Sequence, residues 1–257
     1  MRTLFRHIYL LILGFFRTIK PGIHIINSHY VTPQILKDQD KETLEHFIKY
    51  LNERYKLISI QEATHLIMNK QFPFNETMVA LTFDDGFEEC YTIIAPLLEK
   101  YNCRGAFFIN ANYIDSNEDY QTKFHDRINI YTKKPMSWKQ IKDLHNRGHV
   151  IGAHTLDHVD MAKLDEKELE FQLEENKRIL ETKLDYSCDY FAWTYGKVQH
   201  FPQIALEKTK KHHKYIFSGT NYKHYFSMNN DVINRRNIEP FWPKKHVDYF
   251  LSIKKKI

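Results

Sequence analysis

Residues 78 to 86, Met-Val-Ala-Leu-Thr-Phe-Asp-Asp-Gly, constrain the fold more than any other stretch. Val79, Ala80, Leu81 and Phe83 form a near-continuous apolar run. Such a run suits a strand covered by helices on both faces, as in parallel α/β sheets. It stops at two adjacent carboxylates and a glycine. Asp84 and Asp85 therefore fall at the C-terminal end of the strand, where α/β sheets and barrels place their chemistry. Taken alone, Asp-Asp-Gly is equally an ordinary turn.

The rest of the chain alternates strand-like and helix-like segments. Ile23 to Asn27, Lys56 to Ser59, Ala106 to Ile109, Val150 to Ala153, Tyr190 to Trp193, Tyr215 to Ser218 and Val232 to Arg236 read as strands. Leu44, Phe47, Ile48 and Leu51 recur at helical spacing within 41–55. Further helices start at Gln61 behind Ser59-x-x-Glu62, at Pro96, behind Ser137-x-x-Gln140 and behind Asp165-x-x-Glu168. Seven or eight such units predict an α/β domain over 21–257, a distorted or incomplete parallel (β/α) barrel of about seven strands. A chain of 257 residues with 42% hydrophobic content can bury such a core.

A second apolar strand, Val150 to Ala153, ends in His154-Thr155-Leu156-Asp157-His158. Two imidazoles and a carboxylate gathered at strand ends suit a divalent metal. Another His-x-x-x-His pair, His145 and His149, lies on an amphipathic helix and just before the strand, so it reads as structural. A metal held by one carboxylate and two imidazoles keeps positions open for water and a substrate oxygen, and a second carboxylate nearby can take the water's proton. Non-haem iron oxygenases use the same ligand set. Their sites usually sit on antiparallel jelly-roll strands, against which the alternation here argues.

Thr82-Phe83-Asp84-Asp85-Gly86 and His154-Thr155-Leu156-Asp157-His158 resemble the first two motifs of the polysaccharide deacetylase family, the NodB-homology or family 4 carbohydrate esterases. Phe191-Ala192-Trp193-Thr194-Tyr195-Gly196 resembles the third, with threonine where proline is usual. The resemblance covers about residues 22 to 240 and implies an incomplete (β/α) barrel of about seven strands. It implies Asp85, His154 and His158 as metal ligands, Asp84 as general base, and the Tyr195 backbone N–H as a donor to the oxyanion. The implied reaction is metal-dependent hydrolysis of the amide of an N-acetylated or N-formylated amino sugar, in a surface polysaccharide, a lipopolysaccharide or a lipid-linked precursor. Zinc is the expected metal, with cobalt and nickel also accepted in the family.

Two departures shape the expected site. Ala192 stands where the family often carries the arginine that orients the base, so Arg235 or Arg236 on a later strand is expected to substitute. No Leu-x-His motif supplies the usual acid near the C-terminus, and His246 reads as a packing or solvent-facing residue. His29, in Ser28-His29-Tyr30-Val31 after the first strand, is the expected general acid. That segment resembles a branch whose motifs are circularly permuted, with serine where tyrosine is usual. The altered third motif keeps a second reading alive, a non-catalytic saccharide-binding relative, which release of acetate would exclude. The long connection Asn110 to Pro135 carries Tyr113, Tyr120, Phe124 and Tyr131; it reads as a lid stacking on sugar rings or as a small subdomain packing its own aromatics.

Residues 1–20 form a separate segment, with nine apolar residues (8 to 16) between cations. This is too short to span a bilayer, and Arg17-Thr18-Ile19-Lys20-Pro21 gives no small-x-small cleavage site. An interfacial membrane helix and an apolar helix packed on the barrel are both consistent with it. The expected location is cytoplasmic or the cytoplasmic face of the inner membrane, with export on an uncleaved anchor left open. The net charge of +5 is scattered and accompanied by no nucleic-acid motif, so none is expected as a partner. Cys90, Cys103 and Cys188 are too few and too widely spaced to suggest a disulfide framework.

Overall fold

A computed structural model describes residues 2–16, 18–34, 38–219, 221 and 223–257, the side chains of 2–4, 38 and 39 excepted. Ten strands form a single curled sheet: β1 (Gly22–Ser28), β2 (Lys56–Leu57), β3 (Thr77–Phe83), β4 (Ala106–Ile109), β5 (Val150–Ala153), β6 (Tyr190–Ala192), β7 (Tyr215–Phe217), β8 (Phe226–Ser227), β9 (Val232–Ile233) and β10 (Arg236–Asn237). Their order is β10-β1-β3-β4-β5-β6-β7-β9-β8, with β2 beside β3, and every pairing but β8 with β9 is parallel. The helices are α1 (Arg2–Phe16), α2 (Asp38–Asn52), α3 (Ile60–Met68), α4 (Ala95–Lys100), α5 (Glu118–Ile128), α6 (Trp138–Asn146), α7 (Glu166–Leu184), α8 (Gln203–His212) and α9 (Lys244–Leu251). The expected incomplete parallel barrel is therefore the fold. The described residues hold ten strands rather than about seven, because the two-residue β8 left no periodic pattern and the run 232–236 divides into β9 and β10.

The apolar run at 79–83 forms the central strand, and all seven residues of β3 are buried. It pairs with β1 over seven residues, from Gly22 beside Thr77 to Ser28 beside Phe83. Alternate residues then divide between two cores, as the period of a strand requires. Val79, Leu81, Phe107, Ile109 and Phe191 join the layer shared with the helices, and Ile23, Ile25, Ala80, Phe108 and Ala192 join the other. Capping boxes start α6 at Ser137 and α7 at Asp165, and the Ser59 side chain caps α3.

Gly152 lets β4 and β5 approach inside the barrel. A Cβ there would lie 2.5 Å from the Phe108 ring and 3.1 Å from the Tyr190 carbonyl oxygen. Gly152→Ala is expected to destabilise the domain by about 1–3 kcal/mol through overpacking. A denaturant midpoint equal to that of the parent protein would refute this.

The segment expected as one strand, Val232 to Arg236, is instead two. β9 pairs with β7 through Val232 and Ile216, whereas β10 pairs with β1 through Arg236 and Ile26. Asn234 and Arg235 bridge the seam between the two ends of the parallel sheet.

The long connection 110–135 contains α5 and packs its own aromatics. Phe87, Tyr113 and Phe124 form a buried cluster, with Tyr113 and Phe124 stacked at 3.9 Å between centroids. Tyr131 alone of its four aromatics stays exposed. The segment is thus a small packed unit, and it contributes Ile128 and Ile130 to the cleft described below. At the other edge α1 packs on α9. Among the described residues no helix is long and apolar enough to cross a membrane.

Candidate active site

The C-terminal ends of β3 and β5 bring Asp85, His154 and His158 together. All three are buried, and one donor atom from each lies within 4.8 Å of the others. Asp85 Oδ1 is 3.5 Å from His154 Nε2 and 3.3 Å from His158 Nε2. The Ala192 carbonyl, 2.6 Å from His154 Nδ1, accepts a hydrogen bond there and so fixes the tautomer that turns the Nε2 lone pair toward Asp85. Burial lowers the pKa of His158 despite the neighbouring Asp85. Burial would raise that of Asp85, but the two imidazoles beside it, His158 foremost, hold it well below the usual carboxylate range. Two imidazoles facing a carboxylate are a donor set that a divalent cation takes. Asp85 Oδ1, buried and without a hydrogen-bond partner, is the observation that the donor set fits one.

Asp84 is engaged quite differently. Arg235, fully buried, donates from Nη1 to Asp84 Oδ1 and from Nη2 to Oδ2, both at 2.8 Å. The guanidinium is itself held by the Ser218 carbonyl (2.8 Å from Nε), Thr82 Oγ1 (3.0 Å from Nη1) and the face of Phe108. Burial works to raise the Asp84 pKa, and the Arg235 and His154 charges with the Arg235 hydrogen bonds outweigh it, so the carboxylate is ionised. Of the two arginines expected beside the base, the structure thus brings only Arg235. Successive residues of an extended segment point to opposite sides, and Arg236 lies over the Phe250 ring at 4.0 Å. Arg236 thus packs on α9, and Arg235 alone of the two pairs with Asp84.

Opposite these carboxylates, His29 follows β1. Its Nδ1 is 2.7 Å from Glu239 Oε1, and its backbone N–H donates to Oε2 at 3.2 Å. Asn237 Nδ2 donates to the same Oε1 at 2.8 Å. Burial pulls the imidazole pKa down, but the charge and hydrogen bond of Glu239, with Asp85 and Asp84 beyond, raise it to about 10. Tyr195 sits at the rim with its ring edge-on to His158, 4.9 Å between centroids. Asp85, Thr155, His158 and Tyr195 all have φ between 54° and 76°. Strained non-glycine residues of this kind cluster where a site over-determines its backbone.

These groups share a cleft of about 490 Å³, lined also by Tyr30, Trp193, Phe241 and Trp242. Other sequence candidates fall elsewhere. His149 is at the N-terminal end of β5, where its ring bonds the Gly105 N–H and Glu99. His246 is buried on α9, its ring 4.8 Å from that of His7. Asp157, between His154 and His158 in sequence, instead ties the loop to Gln172, Asn112 and Tyr120. Sequence reasoning missed Glu239. Its only signal was the acidic residue in Ile-Glu-Pro, just past the last strand.

Fold and site together define a parallel α/β barrel with a buried Asp-His-His metal-type centre and a second, arginine-clamped carboxylate beside it. The family model described as polysaccharide deacetylase matches residues 72–213, and the chain belongs to that family. It is 32% identical over 127 residues to a peptidoglycan-N-acetylglucosamine deacetylase of Bacillus cereus, covering 49% of this chain and 39% of that protein. It is 24% identical over 195 residues to the poly-beta-1,6-N-acetyl-D-glucosamine N-deacetylase of Escherichia coli K12, covering 65% of this chain and 27% of that one. The chain thus spans well under half the length of these two curated relatives. The fold is that of the Streptococcus pyogenes deacetylase PplD, with a TM-score of 0.67 at 17% identity over 90% of this chain and 97% of that one. His29, Arg235 and Glu239 all lie outside the stretch that the family model matches.

Proposed function

We propose that the protein is a metal-dependent hydrolase that removes the N-acetyl group from an amino sugar in a glycan. The observation that carries this reading is the pairing of two adjacent aspartates in opposite states. Asp85 presents a bare oxygen to two imidazoles, while Asp84 is ionised and fixed by Arg235. A ligand and a base are thereby separated on neighbouring residues.

Asp85, His154 and His158 would hold the cation, for which zinc is the proposed species given two imidazoles and one carboxylate. When bound, such an ion supplies Lewis acidity toward a carbonyl oxygen and an attacking water. Asp84 accepts the water's proton on a carboxylate oxygen, with Arg235 fixing its direction. The water oxygen adds to the amide carbonyl carbon, the C–N bond breaks, and acetate and a free amine leave. An amide anion is too poor a leaving group, so nitrogen needs a proton, and His29 delivers it from Nε2 because Nδ1 is occupied by Glu239. The Tyr195 backbone N–H is proposed as a donor to the developing oxyanion. Tyr30 and Trp242, both lining the cleft, offer aromatic surface to a sugar ring. Placing the acid histidine after the first strand corresponds to the circularly permuted branch, and membership of that branch is part of the proposal.

Incubation with N-acetylated oligosaccharides, following acetate release and the mass lost when acetyl is exchanged for hydrogen, tests the reading. No release from any acceptor by metal-loaded protein would favour a non-catalytic saccharide-binding role. His29→Gln is expected to keep its metal and lose about 10²–10⁴ in turnover. A histidine of raised pKa is protonated below that pKa, so wild-type activity should fall as pH rises through it, and this alkaline limb should vanish in the variant. A cation on Asp85 cancels part of the field on His29, so the limb should lie below 10. Near-normal turnover in His29→Gln would remove it from the mechanism.

A further inference from the structure

Helix α1 buries one side and leaves the other uncovered. Leu10 is buried, and Gly14 meets α9 so closely that a Cβ there would fall 2.0 Å from the Lys245 carbonyl oxygen. Phe5, Ile8, Tyr9, Ile12, Phe15 and Phe16 are exposed, from 44% at Ile8 to 77% at Phe16. They recur at i, i+3, i+4, i+7, i+10 and i+11, a single stripe on the side opposite Gly14. Large contiguous apolar stripes are rare on a surface that meets only water.

Charge says what covers this one. No Asp or Glu occurs in residues 1–37, whereas Arg2, Arg6, Arg17, Lys20 and Lys37 do; Arg17 and Lys37 lie outside the described residues. Lys245 of α9 adds a cation 5.5 Å above the Phe15 ring. Lys245 is also 3.2 Å from Asp248 on α9, but the segment that carries the stripe has cations and no acid, and so complements a bilayer with anionic headgroups.

The packed side of α1, beneath the stripe, adjoins the active-site cleft. A groove between α1 and the turn before α9 is lined by Arg6, His7, Leu10, Phe241 and Trp242, and the last two line the catalytic cleft as well. Phe241 stacks parallel to Tyr30, the residue after His29, at 6.3 Å between centroids. We propose that α1 seats this face in an anionic bilayer surface and that the seated enzyme acts on amino sugars presented there by a lipid carrier, which enter past Phe241 and Trp242. The substrate half rests on the deacetylase reading, and the docking half stands without it.

The test uses the full chain and the variant Ile8→Glu/Phe15→Glu, whose positions are solvent-facing and remote from the catalytic groups. Flotation with phosphatidylcholine vesicles containing phosphatidylglycerol should carry the parent protein and leave the variant behind. Turnover of an N-acetylglucosaminyl glycolipid in those vesicles should fall at least tenfold in the variant. Turnover of a soluble N-acetylated oligosaccharide should be equal in both, which also reports correct folding. Equal flotation of the two proteins would overturn the docking. So would absence of flotation together with a dimer that the substitutions dissociate, since a second copy would then cover the stripe. Equal glycolipid turnover despite lost flotation would overturn the lipid-presented substrate. Flotation without turnover of either substrate would instead refute the deacetylase reading, and the substrate half with it.

Discussion

Asp85→Ala, His154→Ala and His158→Ala are each expected to lose bound metal and acetate release together, whereas Asp84→Asn keeps its metal and loses about 10²–10⁴ in turnover. The contrast follows from how the two aspartates spend their oxygens. Asp85 Oδ1 has no hydrogen-bond partner and faces both imidazoles. Both oxygens of Asp84 are committed to Arg235. Asparagine retains the shape of Asp84 but cannot take a proton at neutral pH. Elemental analysis of the purified variants beside single-turnover assays separates the roles. Loss of metal from Asp84→Asn to the same degree as from Asp85→Ala would show the assignment to be wrong.

The second large effect is expected at Arg235. Removing one member of a buried ion pair leaves the other charge uncompensated, which typically costs about 3–5 kcal/mol. Arg235→Met should therefore destabilise the fold by that order and also leave the base without its partner. Without the guanidinium, burial dominates and the Asp84 pKa rises. A carboxylate with a depressed pKa keeps its ionised form until pH falls through that low value, so in the variant the acid limb of the rate profile should move to higher pH. Lysine should not rescue, since one ammonium cannot reproduce the two parallel contacts to Asp84 and the contact to the Ser218 carbonyl. Adding Asp84→Asn to Arg235→Met should restore part of the lost stability, because the stranded charge is then gone. Denaturant titrations in which Arg235→Met matches the parent protein would refute this account.

The parts legible from sequence were those in which one short segment carries both the fold signal and the chemistry. The run Val79 to Phe83 named a buried strand, and its own ending named Asp84 and Asp85. His154 and His158 were readable in the same way from Val150 to Ala153. Where a contact joins distant segments, local pattern gave less. His29 meets Glu239 across 210 positions, and nothing in Ile-Glu-Pro announces a partner for an imidazole. The choice between Arg235 and Arg236 depended on which side of an extended segment faces the cleft. That was decided by the break at Asn234 and Arg235, which a reading of 232–236 as one strand could not supply.

That break also bears on when the proposed site would be complete. The residues from Val232 to Ile238 act as a clasp: β9 grips β7, β10 grips β1, and the Ser28 hydroxyl donates to the Ile238 carbonyl across 210 positions. Joining segments so far apart in the chain is entropically costly and late in folding. Arg235 and Glu239, which hold Asp84 and His29, lie in or next to that same clasp. A chain halted short of the clasp would hold the sequence of every strand from β1 to β7 and of the loops bearing Asp85, His154 and His158, yet lack Arg235 for Asp84 and Glu239 for His29. On the proposed mechanism, catalytic competence would thus be a readout of topological completion, acquired with the last seam rather than with the Asp-His-His cluster.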